Sequence, residues 1–124
     1  MNAEQRLVFI VEDDDGVRGS MRLLLEASGY RVRDFTSAEQ LLAAAGVHAA
    51  GCIVSDYSLP GMTGMDMIEA LRARGVRVPA IIVTANARGI TARAERAGVA
   101  MVLRKPMTAE TLTQWLDDIF PIRR

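Results

Sequence analysis

Short apolar segments alternate with segments of helical spacing along the sequence, and this alternation limits the possible folds more than any other feature. The apolar segments are rich in β-branched residues and predict five strands, at 7–11, 30–35, 52–55, 80–84 and 99–103. A segment that predicts a helix follows each strand. Strands joined by single helices form a parallel sheet with helices on both faces. We therefore expect a five-stranded α/β sandwich with five helices, built as one domain over residues 1–124.

Capping residues and apolar spacing predict where the helices lie. The first helix is predicted by the helical spacing of four apolar residues: Val17, Met21, Leu24 and Leu25. Thr36 begins a capping box for the second helix, and the third and fourth helices cover about 64–74 and 89–97. Thr108 caps the fifth helix and Pro121 ends it. That helix has an apolar face of Leu112, Trp115, Leu116 and Ile119. The fourth helix has one large apolar residue, so we expect it to pack lightly.

The charge balance and the length of the apolar segments exclude several classes of protein. Fifteen basic residues offset fifteen acidic ones, so no overall field attracts nucleic acid or an anionic membrane. No apolar segment approaches the roughly 20 residues that cross a bilayer, and the N-terminus lacks a signal-peptide pattern. Cys52 is the single cysteine, so an internal disulfide cannot form. We expect a cytoplasmic protein that binds neither nucleic acid nor a membrane.

Acidic, hydroxyl and ammonium groups follow four of the five predicted strands. The first strand leads into four consecutive acids, Glu12 to Asp15, and the third leads into Asp56. Thr84 ends the fourth strand, and Lys105 follows the fifth. Taken singly, each has an ordinary explanation, since one of the last two acids in the run can cap a helix and aspartate often precedes a turn. Because the carboxyl ends of parallel strands meet at one edge of the sheet, we expect these groups to form one site.

The residue types at this edge suit the transfer of a phosphoryl group. Crowded carboxylates repel each other, and a hard divalent cation such as Mg²⁺ would offset that repulsion. With the metal bound, Asp56 can attack a phosphoryl group in line. Lys105 would supply a positive charge and Thr84 a hydrogen-bond donor for the phosphoryl oxygens. The sequence thus predicts a carboxylate that accepts a phosphoryl group.

Four motifs, in this order, resemble those of the receiver domain of two-component response regulators over essentially the whole chain. They are Val11-Glu12-Asp13, the segment from Asp56 to Gly64, Val83-Thr84-Ala85 and Lys105-Pro106. Two further segments, Val17-Arg18 and Ser37-Ala38-Glu39, resemble the receivers of nitrogen-fixation-type regulators, which precede a helix-turn-helix output domain. This chain has no room for an output domain. We expect either a single-domain regulator or part of a longer one.

The resemblance implies a flavodoxin-like, doubly wound sheet with strand order 2-1-3-4-5 and gives each site residue a role. Asp56 would be the phosphoacceptor, Thr84 the switch hydroxyl, and Lys105 the lysine that pairs with the phosphoryl group. The bond between Lys105 and Pro106 would be cis. The implied Mg²⁺ ligands are Glu12 through a water, Asp13, Asp56 and the backbone carbonyl of Ser58. Such a domain is a signalling receiver that catalyses only its own phosphorylation and dephosphorylation.

The resemblance also implies partners for this chain. A histidine kinase or a phosphotransfer protein would supply the phosphoryl group. A downstream protein would bind the face formed by the fourth helix, the fifth strand and the fifth helix, which can also support a homodimer. Four arginines on or near that face either maintain solubility or attract an acidic partner: Arg88, Arg93, Arg96 and Arg104.

Two residues depart from the family pattern and leave other functions open. Val102 stands where many receivers have Tyr or Phe, and a β-branched residue cannot make the usual aromatic rotation. Met107 stands where Phe commonly follows Lys-Pro. Both departures favour a pseudo-receiver, which would signal without phosphorylation. A metal-dependent phosphohydrolase is a further alternative, but it typically needs an acid two residues after the nucleophile, where this chain has Ser58. Nucleotide or flavin binding is disfavoured because no glycine-rich loop follows the first strand.

Overall fold

Strands and helices alternate along the chain in the computed structural model, which describes residues 6–120. The predicted helix end at Pro121 lies outside the described residues. The strands are β1 Leu7–Val11, β2 Arg31–Phe35, β3 Cys52–Asp56, β4 Ala80–Thr84 and β5 Met101–Arg104. The helices are α1 Asp15–Ala27, α2 Ala38–Ala43, α3 Gly64–Ala73, α4 Thr91–Arg96 and α5 Ala109–Ile119. A short 3₁₀ turn covers Val47–Ala49 between α2 and β3.

The five strands form one parallel sheet in the order β2-β1-β3-β4-β5. The chain moves outward from β1 to β2 and then crosses to β3 on the other side of β1. This reversal leaves a gap above the carboxyl ends of β1 and β3, which is where open α/β sheets bind their ligands. The predicted fold class and the strand order implied by the resemblance are both confirmed.

Two hydrophobic clusters, one on each side of the sheet, hold the helices in place. One cluster joins the sheet to α2, α3 and α4 through residues such as Leu41, Ile68 and Ala94. The other joins it to α1 and α5 through residues such as Leu25 and Leu116. Successive strand residues point to opposite faces, so β3 contributes alternately to the two clusters. This alternation places the last residue of β3 on the face covered by α1 and α5.

The start of α2 differs from the prediction by one residue. Ser37, rather than Thr36, is the N-cap, and its hydroxyl accepts a hydrogen bond from the backbone N–H of Gln40 at 3.1 Å. The side chain of Gln40 reaches back and accepts the N–H of Thr36 at 2.9 Å. The reciprocal pair is therefore Ser37 and Gln40, with the side chain returning to the residue before the cap. This arrangement leaves the carboxylate of Glu39 free for another contact.

The apolar face predicted for α1 is only partly covered by the rest of the protein. Leu25 is fully buried, but Val17 and Leu24 have 47% and 45% of their surface exposed. A groove of about 920 Å³ separates this side of α1 from the start of α5. Trp115, which lies on the predicted apolar face of the fifth helix, is also only partly buried against the α1 and α5 cluster. Part of the apolar surface of these two helices thus faces open space.

Smaller differences concern element ends and α4. Strands β2 and β5 begin at Arg31 and Met101, one and two residues after the predicted starts. The fourth helix has only the six residues Thr91–Arg96, and no side chain of residues 6–120 caps its first turn. Among the described residues, no helix combines the length and the apolar character needed to span a bilayer.

Candidate functional site

The four acids that follow β1 have different surroundings and therefore different uses. Glu12 is buried, with 5% of its surface exposed, and its carboxylate accepts the N–H of Asp14 at 3.1 Å. Asp14 caps α1 by accepting the N–H of Val17 at 2.9 Å. Asp15 pairs with Arg18. Asp13 is exposed at the top of the sheet.

Asp56 ends β3 and is 8% exposed, so its carboxylate lies in a largely buried position at the sheet edge. One of its oxygens, Oδ2, is 3.0 Å from Nζ of Lys105, which lies just after β5. The other oxygen, Oδ1, accepts the backbone N–H of Ser58 at 3.3 Å. The structure therefore brings together the predicted acceptor and the predicted lysine, although they are 49 positions apart in sequence.

Two further carboxylates lie beside the one in this ion pair. Oxygen atoms of Glu12, Asp13 and Asp56 lie within 4.8 Å of one another. Burial raises the pKa of Glu12, with a smaller rise from Asp56, while the hydrogen bond from Asp14 and the charge of Lys105 lower it. Within residues 6–120, one ammonium group faces these three acids, so this part of the site retains negative charge. Several carboxylate oxygens with net negative charge form a donor set that fits Mg²⁺.

Thr84 ends β4 and is 4% exposed, but its hydroxyl is bonded to the backbone of Asn86 rather than to Asp56. The hydroxyl oxygen is 3.2 Å from both the N–H and the carbonyl oxygen of Asn86. The β4–α4 loop is thus closed on itself at Thr84. The side chain of Asn86 also accepts the N–H of Arg88 at 3.0 Å, which extends this local network into the loop.

The start of α3 fixes the backbone that carries Asp56. Gly64 donates its N–H to the carbonyl of Tyr57 at 2.9 Å. A Cβ atom at position 64 would overlap the carbonyl oxygen of Asp56 and would lie 2.7 Å from Oγ of Ser55. Only glycine permits this close approach between the helix start and the strand end.

Two contacts that hold the site loops have no signal in the sequence. Glu39, which the altered cap of α2 leaves free, accepts the N–H of Met62 at 3.3 Å and so supports the β3–α3 loop. Arg18 donates to the carbonyl oxygen of Glu12 at 3.0 Å and so supports the β1–α1 loop. Both contacts join residues from different elements. The bond between Lys105 and Pro106 is cis, as the resemblance implied.

The chain is similar to named response regulators over most of its length. It is 38% identical over 100 residues to the transcriptional regulatory protein FixJ of Azorhizobium caulinodans, covering 80% of this chain and 47% of FixJ. It is 31% identical over 113 residues to the response regulator protein TmoT of Ectopseudomonas mendocina, covering 90% of this chain and 51% of TmoT. The chain spans about half the length of the curated relatives that it matches.

Solved structures show the same fold. The receiver domain of the Francisella response regulator 1452 has a TM-score of 0.85 at 19% identity, covering 93% of this chain and 96% of that domain. The response regulator StyR has a TM-score of 0.83 at 34% identity, covering 90% of this chain and 57% of StyR. The family model of the response regulator receiver domain matches residues 8–117. The chain therefore belongs to the receiver domain family of response regulators and is similar in sequence to FixJ.

Proposed function

We propose that this chain is the phosphoacceptor receiver of a two-component phosphorelay, in which Asp56 takes a phosphoryl group from a phosphohistidine of a partner kinase or phosphotransfer protein. The observation that carries the proposal is the convergence of Glu12, Asp13 and Lys105 on the carboxylate of Asp56. Residues 1–124 would form a single receiver domain. The protein would act in the cytoplasm.

The chemical step is the attack of an Asp56 carboxylate oxygen on the phosphorus atom. An O–P bond forms as the P–N bond to the histidine breaks, and the released imidazole takes a proton from solvent. The ammonium group of Lys105 is 3.0 Å from Oδ2 of Asp56. It would therefore be close enough to pair with the phosphoryl group once that group is attached to Asp56. Glu12, Asp13, Asp56 and the carbonyl of Ser58 would hold Mg²⁺. The bound ion would neutralise charge on the oxygens of the phosphoryl group.

The β4–α4 loop would transmit the phosphorylation of Asp56 to α4. Donation of the Thr84 hydroxyl to a phosphoryl oxygen would require it to leave the carbonyl of Asn86. That exchange would alter the loop before α4, a helix of six residues without a side-chain cap. The route does not need an aromatic residue at position 102, where Val102 is partly buried against the core. The face formed by α4, β5 and α5 would change as a result and would then bind a downstream protein or a second copy of the chain.

The arginines on the face of α4, β5 and α5 differ in whether they are already paired within the chain. Arg93 is paired with Asp66 at 3.0 Å and Glu69 at 2.6 Å on α3, so it holds α4 to its neighbour. Its role is accounted for by this pairing, without an acidic partner. Arg88 and Arg96 are exposed.

The groove between α1 and α5 supports docking of the phosphodonor. It is lined by Asp56 and Lys105 at one end and by Val17 and Leu24 along α1, so an apolar surface continues from the acceptor. An amphipathic helix that carries the donor histidine fits such a surface. Leu24→Lys should slow transfer from any phosphohistidine protein that phosphorylates the wild type, but not transfer from acetyl phosphate. Leu23→Lys, with Leu23 70% exposed and outside the groove, is the matched control.

Intact-mass spectrometry after incubation with acetyl phosphate and Mg²⁺ tests the phosphoacceptor. The wild type should gain one phosphoryl group, and the gain should disappear in Asp56→Asn or when the metal is chelated. Asp118→Asn, a change of an exposed aspartate on α5, should leave the gain intact. A wild type that gains nothing and also fails to bind beryllofluoride with Mg²⁺ would favour the pseudo-receiver, which the valine at position 102 already favours.

A further inference from the structure

The guanidinium group of Arg18 links the acidic loop after β1 to two other parts of the fold. Its Nη1 donates to the carbonyl oxygen of Glu12 at 3.0 Å, and its Nη2 donates to Oδ1 of Asp15 at 2.6 Å. Its Nε lies 3.5 Å from Oδ2 of Asp34 on β2. Only 15% of the Arg18 side chain is exposed. These contacts use the planar fork of arginine, which lysine cannot reproduce.

The carbonyl that Arg18 contacts belongs to the peptide between Glu12 and Asp13. These two consecutive residues supply carboxylates to the acidic cluster, so the orientation of their shared peptide sets the direction of both side chains. On the other side, the N–H of Glu12 donates to the carbonyl of Phe35 at 3.1 Å. Phe35 on β2 therefore fixes the peptide before Glu12, and Arg18 on α1 fixes the peptide after it. A loop held in this way loses little conformational freedom when its carboxylates bind a cation.

We propose that Arg18 is a positioning residue for the metal site, holding the peptide between Glu12 and Asp13 in the orientation that binds Mg²⁺. This inference rests on the proposed function, since it assumes that the acidic cluster is the Mg²⁺ site. The charge of Arg18 is offset by Asp15 and Asp34, so the hydrogen bond to the Glu12 carbonyl is the contact that matters. A purely electrostatic role would have the opposite sign, because loss of a nearby cation strengthens Mg²⁺ binding.

The test is the Mg²⁺ affinity of the unphosphorylated protein, measured by isothermal titration calorimetry with MgCl₂. Arg18→Lys keeps the charge and removes the forked contact, and we expect it to weaken Mg²⁺ binding by about tenfold or more, as loss of a contact that orients metal ligands typically does. Arg22→Lys is the matched control. Arg22 lies one turn later on α1 and pairs with Asp34 at 2.9 Å, but it makes no contact with the acidic loop. Its variant should bind Mg²⁺ within about twofold of the wild type.

Thermal denaturation without Mg²⁺ separates positioning from a general loss of stability. Arg18→Lys and Arg22→Lys should lose similar stability, while only the former loses Mg²⁺ affinity. Unchanged or tighter Mg²⁺ binding in Arg18→Lys would overturn the inference while leaving the proposed function in place. A wild type that does not bind Mg²⁺ would instead overturn the proposed function and the inference with it. An Arg18→Met variant, which also removes the charge, should bind Mg²⁺ weakly too, and tighter binding would show that charge dominates.

Discussion

Nζ of Lys105 lies 3.0 Å from Oδ2 of Asp56, so the loop after β5 is joined directly to the end of β3 across the intervening β4. Asp56 is 8% exposed, whereas 42% of the Lys105 side chain is exposed. The lysine therefore reaches inward from the surface to a buried carboxylate. Among the described residues, it is also the one cation that forms a salt bridge with a carboxylate of the acidic cluster.

Removing this cation should destabilise the metal-free protein. In Lys105→Met, the buried carboxylate of Asp56 faces Glu12 and Asp13 without compensation, and we expect a loss of about 1–3 kcal/mol in the free energy of unfolding. Added Mg²⁺ should restore part of it, because a bound cation replaces the missing charge. Urea denaturation with and without MgCl₂ measures both effects. Lys105→Arg, which keeps the charge, should lose less. Equal stability of Lys105→Met and the wild type without Mg²⁺ would contradict the prediction.

The close packing of Gly64 against the end of β3 should make a methyl group there costly. In Gly64→Ala, the new Cβ overlaps the carbonyl oxygen of Asp56, and we expect a loss of about 1–3 kcal/mol in the free energy of unfolding. Gly19→Ala is the control, since Gly19 lies within α1 and a Cβ there meets nothing within 4 Å. That change should stabilise the protein by about 0.5–1 kcal/mol. Similar urea midpoints for the two variants would refute this reading.

The order and type of the elements are predictable because the sequence alternates clearly between two periodicities. The strands at 7–11 and 80–84 match the predicted ones residue for residue. The strand order is a different matter, since it follows from the family resemblance rather than from any pattern in the residues. The cap of α2 is ambiguous locally, because Thr36 with Glu39 and Ser37 with Gln40 both have capping-box spacing. The conformation of the backbone before α2 selects Ser37 with Gln40, and the sequence does not indicate that conformation.

The site is predictable in its residues but less so in its contacts. Asp56 and Lys105 converge as expected, since both follow parallel strands whose carboxyl ends share an edge. The partner of the Thr84 hydroxyl is not predictable, because it depends on how the β4–α4 loop turns back. The exposure of Val17 and Leu24 is equally invisible in the sequence. Helical periodicity shows that α1 has an apolar side but not how far α5 lies from it.

The buried charge of Glu12 should destabilise the metal-free protein at neutral pH. Burial raises its pKa, so the unfavourable contribution grows as pH rises from the ordinary pKa of a glutamate to the raised folded-state value and stays constant above it. The contribution is absent at acidic pH, where Glu12 is protonated in both states. Glu12→Gln keeps an acceptor for the N–H of Asp14 and removes the charge. We expect a gain of up to about 1 kcal/mol at pH 7 without Mg²⁺.

The same variant should respond weakly to Mg²⁺, because it has lost one charged oxygen donor. Urea denaturation at pH 7, with and without MgCl₂, compares the two effects of Glu12→Gln directly. Asp15→Asn changes a neighbouring acid that pairs with Arg18 and lies outside the carboxylate cluster. It should keep most of the stabilisation by Mg²⁺. A Glu12→Gln variant that is less stable than the wild type without Mg²⁺ would show that the charge is well accommodated.

The pairing of Arg93 with α3 should make the attachment of α4 depend on pH. Hydrogen bonds from Arg93 lower the pKa values of Asp66 and Glu69. A lowered folded-state pKa stabilises the protein at neutral pH, and that stabilisation is lost as pH falls through the lowered values. Arg93→Met should therefore reduce the Tm by a few degrees at most at pH 7, as exposed pairs contribute little. The difference from the wild type should shrink below about pH 4. Arg88→Met, a change of an exposed arginine before α4, is the control and should show no such trend. If the difference in Tm between Arg93→Met and the wild type stays constant down to pH 3, the effect of Arg93 comes from packing instead of charge.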